Sequence, residues 1–200
     1  MTAHHLIRPR SLFGLVALVA ALALPATALA ATFTGTPGPD HLVGTASADT
    51  ISGLAGNDVL EGLGGPDAID GGADADRISG GDGNDRLGGG TGNDQIRGGA
   101  GADAASGGDG ADWVSGGPGA DVIHGGAGPD TLYGGDGPDR IAGGTGRDFV
   151  YGGYGNDVIQ VGRDRTADAV RCGPGWDVAY LGRYDVADAS CERVIRTLEA

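Results

Sequence analysis

From Gly80 to Gln160 the chain reads GGDGNDRLG, GGTGNDQIR, GGAGADAAS, GGDGADWVS, GGPGADVIH, GGAGPDTLY, GGDGPDRIA, GGTGRDFVY, GGYGNDVIQ, nine consecutive units of nine residues. Each unit has Gly at positions 1, 2 and 4, Asp at position 6 and an apolar residue at position 8, of which Ala105 is the smallest. A period this strict decides the architecture, because one unit alone cannot bury its apolar side chain and must stack on its neighbours.

The three glycines permit positive φ and sharp turning, which residues with a Cβ adopt only at a cost. The triplet after each Asp is too short for a helix and suits a strand whose middle side chain points inward. Parallel strands stack about 4.8 Å apart, and calcium–oxygen distances run about 2.3–2.6 Å. An ion held between two stacked turns therefore spans roughly one coil spacing. Calcium takes about 6–8 oxygens, which two Asp carboxylates and turn carbonyls can supply. A disordered Gly-rich linker has similar composition, but linkers do not keep an apolar residue at every ninth position.

The pattern resembles the GGxGxDxUx nonapeptide (U apolar) of the repeats-in-toxin (RTX, haemolysin-type) calcium-binding family. The resemblance implies an all-β fold, a parallel β-roll or β-helix solenoid in which six-residue GGxGxD turns alternate with three-residue strands, two nonapeptides to a coil. It also implies several bound Ca2+ ions between turns stacked on the same side, with the position-6 aspartates as metal ligands. On this chain those are Asp58, Asp67, Asp76, Asp85, Asp94, Asp103, Asp112, Asp121, Asp130, Asp139, Asp148 and Asp157. The nine perfect units place five turns on one side and four on the other, leaving seven positions between coils.

Upstream the register continues through GTPGPDHLV (Gly35–Val43), GTASADTIS, GLAGNDVLE, GLGGPDAID and GGADADRIS (Gly71–Ser79). Thr36, Thr45, Leu54 and Leu63 replace Gly at position 2, and Ser47 and Asp74 replace it at position 4. These departures leave metal binding open at Asp40 and Asp49, where a capping coil has this look. The register spans 14 units from Gly35 to Gln160, and its position-8 residues, Leu42 to Ile159, form two facing core columns. Positions 7 and 9 face outward. Trp113, Tyr133, Phe149 and Tyr151 stand there and are expected to pack with one another or with the tail, a partner surface being the alternative.

Val161-Gly162 break the register, after which RDRTADAVR and CGPGWDVAY again set Asp168 and Asp177 nine apart. Residues 161–200 read as a degenerate coil and a C-terminal cap, as repeat arrays require, with metal binding left open at both aspartates. The CG-x-G-x-D and C-E-R-V elements resemble the ends of other secreted bacterial calcium-binding repeat proteins.

Residues 1–30 read as a secretory signal peptide: Arg8 and Arg10, the apolar run SLFGLVALVAALAL, then Ala28-Leu29-Ala30. The run is expected to be helical from about Ser11 to Leu24 and is short for a membrane span of about 20 residues. Cleavage leaves a secreted chain of residues 31–160 (the roll) and 161–200, extracellular or at the cell surface. The 27 acids then face 11 arginines and no lysine, a net charge of −16. That charge excludes nucleic acid and anionic membrane as expected partners and leaves calcium ions. Cys172 and Cys191, the two cysteines of an exported chain, are expected to pair, closing a loop that contributes roughly 3 kcal/mol.

No HExxH, GxSxG, CxxC or EF-hand pattern is present, and the mature histidines, His41 and His124, fall at outward positions. The chain reads as a non-enzyme: a secreted calcium-binding β-roll that folds on binding Ca2+. The alternative is a surface adhesin or structural matrix component using the outer face of the roll. Ice binding needs a regular outward Thr column, and position 3 runs Asp, Thr, Ala, Asp, Pro, Ala, Asp, Thr, Tyr.

Overall fold

The computed structural model describes residues 29–162 and 164–196. The expected helix of the signal segment lies outside them. Strands β1 (Thr32–Thr34) and β2 (His41–Val43) open the fold. β3 (Thr50–Ala55), β4 (Val59–Gly64), β5 (Ala68–Ala73), β6 (Arg77–Asp82), β7 (Arg86–Thr91) and β8 (Gln95–Ala100) follow. Next come β9 (Ala104–Asp109), β10 (Trp113–Pro118), β11 (Val122–Ala127), β12 (Thr131–Asp136), β13 (Arg140–Thr145) and β14 (Phe149–Tyr154). β15 (Val158–Gln160), β16 (Ala169–Arg171), β17 (Val178–Leu181), β18 (Val186–Ala187) and β19 (Arg193–Arg196) close it.

Odd strands form a ten-stranded sheet and even strands a nine-stranded one, and every pairing is parallel. The result is an all-β parallel solenoid of about nine turns. Partners lie 18 residues apart through the repeats, as in Ile51↔Ile69 and Ile123↔Ile141. Period and pleat together fix what points inward. Along each long strand positions 8 and 1 are buried, and position 6 is buried in the turn. Apolar side chains therefore fill the middle of the roll, and Gly and Asp line its two sides. Every position-8 residue from Leu42 to Ile159 is buried, Ala105 included.

Three features differ from the sequence reading. The middle strands are six residues long rather than three, because pairing runs on through positions 2 and 3, as in Gly126↔Gly144 and Ala127↔Thr145. Position-1 glycines do not have positive φ; those at position 2, and at position 4 all but Gly38 and Gly119, do, as at Gly108 (113°) and Gly110 (147°). An additional strand, β1, precedes the first unit and sets Phe33 opposite Ile51 in the core column.

At three of the six replaced glycines the backbone keeps its shape. Leu54 (φ 82°), Leu63 (φ 78°) and Asp74 (φ 76°) hold the left-handed conformation, which costs a Cβ-bearing residue roughly 1–2 kcal/mol. Both leucines are nearly half exposed, so little burial offsets that strain. Leu54→Gly and Leu63→Gly should each stabilise the folded roll by about 0.5–1 kcal/mol, after allowing for the unfolded-state freedom of glycine. Chemical denaturation of the two variants checks this. A lower midpoint than the parent's would show that the leucines have a packing role.

The segment after Gln160 carries β16 to β19, which extend both sheets. The offset becomes 20 residues at Val150↔Val170 and Ile159↔Ala179, absorbing the inserted pair, then shortens at Val178↔Arg193. Cys172 and Cys191 form a disulfide, with Cys172 fully buried. On the outer face of the nine-stranded sheet Trp113 packs on Tyr133 (5.7 Å between centroids) and Tyr133 stacks on Tyr151 (4.8 Å).

Candidate metal centre

The position-6 aspartates build two continuous ladders, one along each side of the roll. Each Asp N–H donates to Oδ1 of the aspartate one coil further on, as in Asp94 to Asp112 (2.9 Å) and Asp103 to Asp121 (2.8 Å). One ladder runs from Asp49 to Asp177 and ends where the Asp177 N–H meets Glu192 Oε2. The other runs from Asp40 to Asp168 and ends on Asp185 Oδ1. A backbone N–H buried in a turn is thereby satisfied in every coil.

The second carboxylate oxygen is left over. Among the described residues, Oδ2 is buried without a hydrogen-bond partner at all twelve predicted ligands, Asp58 through Asp157, and also at Asp168 and Asp177. None of the twelve is more than 3% exposed. An unpartnered buried carboxylate oxygen is costly and calls for a cation or a proton.

The same oxygens explain the position-1 glycines. A Cβ built on Gly107 would fall within 3.0 Å of both Asp112 Oδ2 and the Gly125 carbonyl oxygen of the next coil. Equivalent pairs recur at Asp58 with Gly71, Asp85 with Gly98, Asp121 with Gly134 and Asp139 with Gly152. Eleven of the twelve predicted aspartates have such a facing carbonyl; opposite Asp157 it comes from Cys172. For Asp148 the residue that the 20-residue offset sets opposite Gly143 is Arg163, which lies outside the described residues.

The four aspartates left open by the sequence fall into two kinds. At Asp40 and Asp49 Oδ2 is not left over, because it accepts the N–H of Thr36 or Thr45 (2.5 Å each). Asp168 and Asp177 keep the unpartnered Oδ2, but their turns begin with Arg163 and Cys172. Neither residue is the glycine that the other turns have there. The spacing of 20 residues from Asp148 and Asp157 is what hid this pair from the repeat register.

Burial raises the carboxyls of the twelve predicted ligands, Asp58 through Asp157, above their ordinary value of 3.8. Desolvation is the largest cause, donated backbone N–H groups oppose it in part, and neighbouring carboxylates add to it. Asp67, Asp103 and Asp112 are pushed up to about 6 and Asp139 to about 7.

The donors are all oxygen, carboxylate and carbonyl, the set that a hard cation such as calcium takes and that zinc or copper sites do not favour. No three His, Cys, Asp or Glu side chains converge among the described residues. An ion in a turn must therefore draw on backbone carbonyls, which the turns present in number. The residues present fit calcium.

The RTX calcium-binding nonapeptide repeat matches the chain in four copies, at residues 34–69, 61–96, 97–132 and 133–165. No curated protein matches it. Repeat, solenoid and buried aspartate ladders agree, and the chain belongs to the RTX calcium-binding nonapeptide repeat family.

Proposed function

We propose that this chain is a secreted calcium-binding roll whose folding is driven by calcium bound within its stacked turns. The observation that carries the reading is the row of eleven buried Oδ2 atoms, each without a partner and each facing a carbonyl of the next coil. Asp58, Asp67, Asp76, Asp85, Asp94, Asp103, Asp112, Asp121, Asp130, Asp139 and Asp157 hold the ions in this reading, with position-1 carbonyls opposite. Bound calcium supplies positive charge where the fold has gathered carboxylates. Without it each coil sets one more buried anion beside the last, against a core only one apolar side chain wide per strand. Binding free energy then becomes folding free energy. Export rests on the signal-like segment 1–30, and the Cys172–Cys191 disulfide fits an oxidising compartment.

The test is a ligand series. Asp112→Asn and Asp121→Asn keep an amide oxygen for the Oδ1 ladder but remove the anion, and should raise the calcium concentration at half-folding several-fold. Asp40→Asn, at an aspartate whose Oδ2 already accepts from the Thr36 N–H and hydroxyl, should shift it far less. Equal shifts at all three positions would overturn the assignment of the unpartnered oxygens as ligands.

A further inference from the structure

We propose that the outer face of the nine-stranded sheet binds a polyanionic polysaccharide laid along the solenoid axis, held by Arg97 and Arg171 at the two ends of its aromatic row. The starting point is a segregation of charge. Seventeen aspartates are buried in the roll, whereas Arg77, Arg97, Arg147 and Arg171 are exposed. Among the described residues the single ion pair is His41–Glu61, and no arginine pairs with a carboxylate. From β6 to β16 the outward positions 7 and 9 of the nine-stranded sheet carry no acid, the exposed Asp82 and Asp136 lying at the far ends of β6 and β12, though the mature chain has a net charge of −16. The fold has thus made a cationic strip on an acidic protein.

The strip is ordered as well as charged. In register across β8, β10, β12, β14 and β16 stand Arg97, Ser115, Tyr133, Tyr151 and Arg171, and Trp113, two residues before Ser115, fills the row between Arg97 and Tyr133. Arg97 lies over the Trp113 ring (5.1 Å) and Arg171 over Tyr151 (5.5 Å). Arg147 lies over Phe149 beside the row. Such contacts stabilise a sheet, but they do not account for the missing carboxylates. Stacking on a ring also holds a guanidinium still, ready for a bidentate pair with a sulfate or carboxylate. Four coil spacings, about 19 Å, separate Arg97 from Arg171, so a single small anion cannot reach both and a linear polymer can.

The rings distinguish between polymers. Single-stranded nucleic acid needs open aromatic faces on which bases stack. Here Trp113, Tyr133 and Tyr151 each have neighbours on both sides along the row, so what they offer outward is edges and phenol hydroxyls. Hydroxyl-rich, anionic and linear describes a sulfated or carboxylated polysaccharide.

Calorimetry with the calcium-saturated full chain tests this, using dextran sulfate, uncharged dextran of the same length and single-stranded DNA as probes. Dextran sulfate should bind, dextran should not, and DNA should bind about tenfold more weakly than dextran sulfate. Arg97→Gln with Arg171→Gln should weaken dextran sulfate binding by about tenfold or more. Arg86→Gln with Arg140→Gln, the same charge change on the ten-stranded sheet, should leave it within about twofold. Far-UV circular dichroism verifies that each protein is folded, so failure of a folded chain to bind overturns this face without touching the calcium reading. Binding of DNA as tight as dextran sulfate, or an equal loss in the control pair, would also overturn it.

Discussion

A chain carrying Gly107→Ala is expected to fail to reach the folded state at calcium concentrations that fold the parent. The added methyl would fall within 3.0 Å of Asp112 Oδ2, the Gly125 carbonyl oxygen and the Asp112 Cβ, mid-array and fully enclosed. Two of those three atoms are the oxygens assigned to the ion, so the substitution both overpacks the turn and occupies the binding space. Overpacking alone costs roughly 1–3 kcal/mol, and loss of an ion adds to it. Gly88→Ala is the internal control. Gly88 sits at position 9 on the outer face, where a Cβ would meet only Asp70 Oδ1, at 3.7 Å. That variant should fold at nearly the parent's calcium midpoint. If Gly107→Ala and Gly88→Ala behave alike, position 1 is glycine for some reason other than the space it leaves.

The second large effect is a dependence on pH that reverses when calcium is present. In the metal-free roll the carboxyls of Asp67, Asp76, Asp103, Asp112, Asp130, Asp148 and Asp157 are raised to about 6. Asp139 and Asp168 are raised to about 7. The unfolded chain has them near 3.8, so between these values the folded roll binds more protons. Its metal-free stability is therefore fully present below the unfolded value and is lost as pH rises through 6 to 7. Metal-stripped protein should show more strand signal at about pH 4.5 than at about pH 8. Calcium must displace those protons, so the calcium midpoint should rise as pH falls below about 7. Circular dichroism titrations at several pH values measure both. A metal-stripped chain that gains no strand on acidification would contradict the burial of these carboxyls.

Much of this was legible because one nine-residue period sets turn, strand and core at once. Asp at position 6 and the apolar residue at position 8 predict the solenoid and the buried columns, and both hold even at Ala105. The chemistry inside the turn was less legible. Nothing in the spacing says that each Asp uses Oδ1 for the neighbouring coil's N–H and leaves Oδ2 free. Nor does it say that glycine at position 1 serves close approach alone and at positions 2 and 4 serves backbone shape as well. A one-letter pattern records the residue, and two different physical reasons can demand the same glycine. Phe33 was missed because its unit lacks the preceding turn. Asp168 and Asp177 were left open because two inserted residues shift their spacing while the strands stay paired. The aromatic row became readable only once 18-residue coils set Tyr133 beside Tyr151.

Far-UV circular dichroism of the metal-stripped chain at about pH 8, followed by calcium titration, tests the central claim most directly. The account predicts little strand signal without calcium and a cooperative gain as calcium is added, reversed by a chelator. A full strand signal in the stripped protein, unchanged by calcium, would contradict it.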